Sequence, residues 1–221
     1  VFSELFLSGY PPRDLLNRCA FVERVETAVG ELQEASRQWP ELGILMGLPT
    51  RTGKSTGRGL HNSARLIHNG AVVGQQHKSL LPTYDVFDED RYFDPAEGVE
   101  VLPFKGERLG VSICEDAWNV PELWPQQRMY EFDPIAALAG QGASLLINLS
   151  ASPFSLGKED IRYQLISRHA RACGLPFLYC NQVGGNDELI FDGRSLAVDA
   201  QGEPLAVLPA FREAVVTVDT T

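Results

Sequence analysis

The stretch Gly110-Val-Ser-Ile-Cys-Glu-Asp-Ala-Trp118 is a short apolar strand that runs directly into a thiol and two carboxylates. A cysteine at the end of a buried strand lies at a strand-to-loop turn, where its thiolate can attack a carbonyl carbon. Free cysteine is also among the most buried residue types, so a lone cysteine in an apolar run is more often part of the core. Cys114 therefore needs support from other segments before chemistry is assigned to it.

Helical and strand patterns alternate along the rest of the chain. Apolar residues at three- and four-residue spacings predict amphipathic helices, and short apolar runs bounded by Gly, Pro or polar residues predict buried strands. This mixture predicts a layered α/β protein with mixed sheets, and the lack of a linker or repeat predicts one domain over residues 1–221. The predicted helices cover 15–39, either continuous or with a single break, 134–139 and 159–173. The predicted strands cover 43–49, 62–67, 71–75, 101–104, 108–113, 143–149, 177–180, 196–198, 204–207 and 213–218, and a long ordered loop covers 78–95.

Composition excludes several classes of function. The 221 residues carry a net charge of −10, and Lys and Arg are scattered, so neither nucleic acid nor an anionic membrane is expected as a partner. No apolar run approaches the roughly 20 residues of a membrane-spanning helix, which favours a cytoplasmic protein. The cysteines show no C-x-x-C pair and no histidine at ligand spacing, so no metal site is expected and the thiols are predicted to be reduced. The cysteines are Cys19, Cys114, Cys173 and Cys180.

Three motifs occur in a fixed order along the chain. They are E-L-x-x-x-G-Y-P from Glu4, K-x-x-L-P-x-Y from Lys78 and I-C-E-D-x-W from Ile113. Together they resemble the nitrilase, or carbon-nitrogen hydrolase, superfamily. Residues 78–93, 148–154 and 181–193 are similar, more narrowly, to the glutaminase domain of bacterial glutamine-dependent NAD synthetase. The resemblance implies an αββα sandwich of two mixed β-sheets flanked by helices. The family's opening strand and helix would be missing, so we expect the fragment to fold poorly on its own.

The resemblance also implies a Glu-Lys-Cys triad. Glu4 would be the general base for the thiol of Cys114, and Lys78 would stabilise the oxyanion formed from an amide carbonyl, with the backbone N–H of Glu115 as a second donor. Cys114 would attack the side-chain amide of glutamine, release ammonia and leave a glutamyl thioester that water hydrolyses. Taken singly, Glu4 is an ordinary strand-end carboxylate and Lys78 a surface lysine, so the assignment depends on the motifs occurring together.

Five further residues are assigned to the site by the same resemblance or by position. Tyr84, Ser152 and Lys158 would hold the amino-acid part of glutamine, with the lysine on the α-carboxylate. The alternatives are loop packing for the tyrosine and a surface charge at a helix start for the lysine. Glu89 is a candidate for orienting the catalytic lysine, and Trp118 either forms a wall of the pocket or belongs to the core.

The family places an ATP-dependent synthetase domain after the glutaminase domain, and we expect that domain to use ATP, magnesium and the released ammonia. No cofactor is expected in the glutaminase domain itself, and the protein is expected to form a homo-oligomer. Two alternatives stay open at this point. One is a stand-alone amidase or nitrilase that acts on another small amide, and the other is a catalytically silent scaffold that only mediates assembly.

Overall fold

The computed structural model describes residues 1–120, 123 and 130–220. Three α-helices are present in these residues: α1 (Cys19–Ser36), α2 (Pro134–Gly140) and α3 (Lys158–Cys173). The strands are β1 (Gly43–Arg51), β2 (Leu60–His68), β3 (Ala71–His77), β4 (Leu102–Phe104), β5 (Glu107–Ile113), β6 (Leu145–Ser150), β7 (Phe177–Asn181), β8 (Val183–Asn186), β9 (Leu189–Asp192), β10 (Leu196–Val198) and β11 (Pro204–Val207). No helix in the described part of the chain is both long and apolar enough to cross a membrane.

The larger sheet has six strands in the order β11-β10-β7-β6-β5-β4, and its central strands β5, β6 and β7 are parallel. The smaller sheet contains β1, β2 and β3, which pair antiparallel. Strands β2 and β3 are joined by Asn69 and Gly70, both at positive φ, as expected of a two-residue hairpin turn. The prediction of a second mixed sheet was therefore wrong, because successive short connections join neighbouring antiparallel strands.

The two sheets pack face to face, and helices cover their outer faces. Apolar side chains of β1 and β2 meet those of β5 and β6 in the central core, while α1 packs on the outside of the three-stranded sheet. Helices α2 and α3 pack on the outside of the six-stranded sheet. The αββα sandwich is thus confirmed. The central core contains Leu45, Ala64, Leu66, Val111, Ile113, Ile147 and Leu149.

The N-terminal segment lies against β1 without forming a regular strand. Phe2 donates its backbone N–H to Leu45, and Gly47 donates to the carbonyl of Ser3. The approach is so close that a Cβ atom on Gly47 would lie 2.3 Å from the backbone nitrogen of Leu5. Glycine in the middle of β1 therefore lets the segment carrying Glu4 enter the interior.

Three local predictions need correction. Residues 213–218 form no strand, and Val215 is fully exposed, because no sheet edge pairs with this segment. The small antiparallel hairpin β8–β9 was missed, since Val183–Asn186 is rich in glycine and lacks a strand-like apolar alternation. The first helix is shorter than predicted, and the break allowed for it is present: a 3-10 helix covers Arg13–Asn17, and α1 begins only after Arg18, whose backbone is extended.

Candidate active site

The carboxyl ends of the parallel strands bring the predicted nucleophile to one edge of the six-stranded sheet. Cys114 directly follows β5 and begins a 3-10 turn over Cys114–Ala117. Its φ of 42° lies in the left-handed region, which is strained for a residue with a Cβ atom and is typical of residues held in place by their surroundings. Ser152 follows the neighbouring strand β6, so both side chains reach the same crevice.

A cavity of about 200 Å³ opens at the thiol. Six of the residues assigned from the sequence line it, together with two residues that the sequence did not single out, Asp85 and Phe87. A larger surface depression of about 460 Å³ is formed by the single segment 38–42, which carries neither a nucleophile nor a buried base. The six assigned lining residues are Tyr84, Cys114, Glu115, Trp118, Ser152 and Lys158.

A buried cluster of two carboxylates and one ammonium group lies behind the thiol. Lys78 Nζ donates to Glu4 Oε1 at 2.7 Å and to Glu89 Oε1 at 2.8 Å. Burial by itself would lower the pKa of Lys78, but the two carboxylates outweigh it and raise that pKa well above its ordinary value. Burial raises the pKa of Glu89 to about 7 against the lowering effect of the lysine. The lysine is therefore a permanent cation at neutral pH.

Polar partners fix both carboxylates in place. Glu4 Oε1 also accepts from Asn62 Nδ2 at 2.7 Å, and its Oε2 accepts from the backbone N–H of Ala151 at 3.0 Å. Tyr10 donates its hydroxyl to Glu89 Oε1 at 2.9 Å, while Glu89 Oε2 has no hydrogen-bond partner within the described residues. Neither Tyr10 nor Asn62 was assigned to the site from the sequence.

The charges of this cluster shift the pKa of the Cys114 thiol. Burial raises the pKa of Cys114, Glu4 raises it further and Lys78 opposes both, with a net upward shift. The thiol therefore keeps its proton at neutral pH in the resting protein. A nucleophilic Cys114 requires a base that removes this proton as the new bond forms, and Glu4 is the oriented carboxylate whose charge acts most strongly on the thiol.

Glu115 lines the cavity together with Tyr84 and accepts hydrogen bonds from two tyrosines. Tyr84 donates its hydroxyl to Glu115 Oε1 at 2.9 Å, and Tyr130 donates to the same oxygen at 3.1 Å. Burial raises the pKa of Glu115, and the lysine and both tyrosines counteract this rise. Tyr84 therefore lines the cavity and is held there by Glu115.

The opposite wall carries a cation. Lys158 is the first residue of α3, its Nζ lies 5.4 Å from the ring centroid of Trp118, and burial lowers its pKa. Ser152 is held by Asn181, whose Oδ1 accepts from the Ser152 N–H at 2.9 Å. A hydroxyl and a partly desolvated ammonium in one cavity suit a carboxylate ligand. All nine residues assigned from the sequence therefore lie in or directly behind one pocket.

A buried ion pair supports the segment that carries Ser152, and it was missed from the sequence. Arg162 Nη1 donates to Asp192 at 2.7 and 2.9 Å, and Arg162 Nη2 donates to the carbonyls of Ser152 and Pro153. A usable signal was present: Arg162 falls on the apolar side of α3, between Ile161 and Leu165, where an unpaired charge is unexpected.

The geometry agrees with comparisons to known proteins. The carbon-nitrogen hydrolase family profile matches residues 1–221. The glutamine-dependent NAD(+) synthetase of Synechocystis sp. is 47% identical over 95% of this chain, and that of Thermotoga maritima is 40% identical over 99%. The chain spans only 38% and 35% of the length of these two relatives.

Solved structures show the same relationship. A glutamine-dependent NAD+ synthetase from Acinetobacter baumannii, in complex with ADP, aligns with a TM-score of 0.83 and 34% identity over 96% of this chain and 37% of its own. An amidase from Nesterenkonia sp. AN1, with the acetamide moiety of fluoroacetamide added covalently at its active-site cysteine, aligns with a TM-score of 0.76 and 25% identity over 94% of this chain and 72% of its own. The predicted resemblance is confirmed, and the chain belongs to the carbon-nitrogen hydrolase family.

Proposed function

We propose that this chain hydrolyses the side-chain amide of glutamine and supplies the ammonia to NAD synthesis by a longer protein. The observation that carries the proposal is the fully buried Lys78 held between Glu4 and Glu89, directly behind a cavity with a strained cysteine at its base. A buried ion cluster of this kind is costly to assemble, and its position beside a nucleophile favours a catalytic role.

In the proposed reaction, Glu4 removes the proton of the Cys114 thiol while Sγ attacks the amide carbon. The carbonyl oxygen becomes an oxyanion that Lys78 and the N–H of Glu115 stabilise. The tetrahedral intermediate collapses, the C–N bond breaks, and the nitrogen takes the proton from Glu4 and leaves as ammonia. A glutamyl thioester remains on the cysteine.

Water completes the proposed cycle. Glu4 takes a proton from a water molecule, the resulting hydroxide attacks the thioester carbon, and the C–S bond breaks. The thiolate recovers its proton from Glu4, and glutamate leaves. Lys78 stabilises the second oxyanion as it did the first, and Glu89 keeps the lysine aligned and charged throughout both steps.

Recognition of glutamine is assigned to the cavity walls. Lys158 and Ser152 would bind the α-carboxylate, and Tyr84, fixed by its hydrogen bonds to Glu115, would shape the space for the side chain. The support is the chemistry of the cavity, since a cation and a hydroxyl face the same space as the nucleophile.

The longer context is part of the proposal. The glutamine-dependent NAD(+) synthetases similar to this chain are more than twice its length, which supports a further synthetase domain. We expect that domain to use ATP and magnesium. We assign no cofactor to the domain described here, and we expect a cytoplasmic homo-oligomer.

The test measures ammonia release by the intact natural protein from glutamine and from other ω-amides, with and without nicotinic acid adenine dinucleotide. We expect glutamine to be the preferred substrate and its hydrolysis to increase when the dinucleotide is present. Absence of glutamine hydrolysis would rule out the proposal. A preference for acetamide or another simple amide would favour the second candidate, a stand-alone amidase, which the likeness to the Nesterenkonia enzyme supports.

Covalent labelling separates both enzyme candidates from a silent scaffold. A glutamine-mimicking electrophile is expected to modify Cys114 in preference to Cys19, although Cys19 is exposed and Cys114 is buried. Peptide mass spectrometry locates the label. Modification of Cys19 alone would contradict the assigned nucleophile, because simple accessibility would then explain the reaction.

A further inference from the structure

Asp116 lies two residues after the cysteine and has no role in the proposed chemistry. It is 1% exposed and forms part of the same 3-10 turn as Cys114. Its Oδ1 accepts the backbone N–H groups of Ser79 and Leu80, both at 2.9 Å, and its Oδ2 accepts the backbone N–H of Ile113 at 2.9 Å. One buried carboxylate therefore receives hydrogen bonds from two separate segments.

These two segments carry the two groups that must act on the same carbonyl. Ser79 and Leu80 directly follow Lys78, and Ile113 directly precedes Cys114. Lys78 follows β3 of the three-stranded sheet, whereas Cys114 follows β5 of the six-stranded sheet. The lysine and the cysteine thus belong to opposite halves of the sandwich, and their relative position depends on what joins the halves.

Apolar packing between the two sheets does not by itself fix the position of Lys78 relative to Cys114. The hydrophobic effect between the sheet faces is strong but non-directional, so it does not fix a displacement of a fraction of an ångström. Hydrogen bonds to a buried carboxylate are directional and stronger than bonds between neutral groups. The bonds of Asp116 are placed where such a displacement would change the distance between Lys78 and Cys114.

The backbone donors around Asp116 favour its anionic form, whereas burial opposes that form. Burial raises the pKa of this carboxyl to about 7, while the N–H groups of Ile113, Leu80 and Ser79, together with Lys78, act to lower it. All three backbone neighbours are donors, so either a protonated carboxyl or an amide would place one of its own hydrogens against an N–H group.

We propose that Asp116 is a positioning residue that holds the segment after Lys78 against the turn of Cys114. The lysine ammonium and the thiol can then both reach the carbonyl group of the same substrate amide. The inference rests on the proposed function for the roles of Lys78 and Cys114. Asp116 itself does not touch the substrate.

The test is the isosteric change Asp116→Asn in the intact natural protein. The amide keeps the volume but offers only one acceptor oxygen, so one of the two segments loses its hydrogen bond. We expect kcat for glutamine to fall by about 10- to 100-fold, the size of effect that sub-ångström to 1 Å misplacement produces, with KM within about twofold of the parent. The rate at which iodoacetamide alkylates Cys114 is expected to fall as well.

Asp199→Asn is the matched control. Asp199 Oδ1 also accepts two backbone N–H groups, those of Gln201 and Glu203, but in the β10–β11 turn, away from the cavity. This variant is expected to match the parent in kcat, KM and alkylation rate. Circular dichroism of each variant, and the final alkylation stoichiometry, correct the rates for any protein that is not folded.

If Asp116→Asn does not fold, Asp116→Glu replaces it, because the charge is kept and displaced by one methylene group. The expected pattern is the same: lower kcat at nearly constant KM. A variant with kcat and alkylation rate within twofold of the parent overturns the inference, and so does a loss that vanishes after correction for folded protein. If the parent hydrolyses no glutamine, the proposed function fails, whereas the alkylation rates still test the positioning by Asp116.

Discussion

Lys78 Nζ lies 2.7 Å from Glu4 Oε1, and these two residues are separated by 74 positions in the sequence. The pair is completely buried, and Glu89 adds a second carboxylate, which gives the cluster a net negative charge. The proposed base Glu4, the cation Lys78 and Glu89, which is proposed to align that cation, thus form one electrostatic unit. A change in one of these three residues is therefore expected to alter the charge state of the other two.

Replacing the cation is expected to lower activity strongly and to destabilise the fold. Lys78→Met leaves two buried carboxylates without a counter-ion, and removing one partner of a buried pair costs about 3–5 kcal/mol. Loss of the proposed oxyanion donor is expected to lower kcat by about 10²- to 10³-fold. Urea denaturation and glutamine hydrolysis measure the two effects.

The exposed Lys54, which pairs with Glu97 at the surface, provides the control. Lys54→Met is expected to leave both the denaturation midpoint and kcat unchanged, because exposed ion pairs contribute little to stability. Equal changes in the denaturation midpoint and in kcat for Lys78→Met and Lys54→Met would contradict the role proposed for the buried cluster.

Stability is expected to depend on pH through Glu89. Its pKa is raised from 4.5 to about 7, so the folded state binds more protons than the unfolded state between these values. The contribution of this group to the free energy of unfolding is therefore full below pH 4.5 and is lost as the pH rises to about 7, with a slope of up to about 1.4 kcal/mol per pH unit.

The variant Glu89→Gln removes this titration. Urea denaturation at several pH values between 4.5 and 7 is expected to show a shallower decrease than in the parent. Asp116, whose pKa is also raised to about 7, still titrates in the variant, so the slope decreases without vanishing. Identical slopes in parent and variant would show that Glu89 titrates normally.

Removing the cation of the cavity wall is expected to weaken substrate binding rather than chemistry. Lys158→Met removes the partner proposed for the α-carboxylate, and a hydrogen bond to a charged group contributes about 1.5–3 kcal/mol, or roughly 10- to 150-fold in KM. The rate constant kcat is expected to change little.

A substrate comparison sharpens this test. An ω-amide that lacks the α-carboxylate is expected to be hydrolysed equally by the parent and by Lys158→Met. Lys105→Met, a change at the surface lysine that pairs with Glu41, is the control and is expected to leave KM for glutamine unchanged. A loss of the same size for both substrates would assign Lys158 to the fold and not to recognition.

The buried pair of Arg162 and Asp192 is expected to support both the fold and the substrate site. Arg162→Met leaves Asp192 buried without a partner and frees the carbonyls of Ser152 and Pro153, at a cost of about 3–5 kcal/mol. KM for glutamine is expected to rise, since Ser152 loses its support. Urea denaturation and steady-state kinetics provide the measurements.

Two further variants interpret the Arg162 result. Arg171→Met changes an exposed arginine of the same helix and is expected to have little effect on stability. The double variant Arg162→Met with Asp192→Leu is expected to recover part of the lost stability, because no buried charge is left unpaired. This account would be contradicted if the double variant lost more free energy of unfolding than the two single variants lose together.

Local sequence patterns were sufficient for much of the architecture. The pair Asn69-Gly70 predicts its hairpin because both residues adopt positive φ readily, and the apolar runs of β5, β6 and β7 predict buried strands. The segment 213–218 shows the limit of such patterns. Its β-branched residues favour an extended chain, but propensity carries no information on whether a sheet edge is available to pair with it.

The site was predictable where a motif names its residues, and not where support comes from elsewhere in the fold. Glu4, Lys78 and Cys114 lie in recognisable segments. Tyr10 belongs to the E-L-x-x-x-G-Y-P motif and Asn62 to no motif, but neither position reveals its partner, and only the folded chain brings them to Glu89 and Glu4. Hydrogen bonds between residues so far apart in sequence depend on how the two sheets pack, which no local pattern encodes.

Gly47 gives the fold an unexpected point of vulnerability. It bears no reactive group and lies in the middle of a regular strand, yet the space that its absent side chain leaves is occupied by the backbone on either side of Glu4. A single added methyl group would displace the backbone of Glu4, the proposed general base, without altering any polar atom. We therefore expect Gly47 to be among the residues that tolerate substitution least, although it contributes no reactive or polar side chain to the pocket.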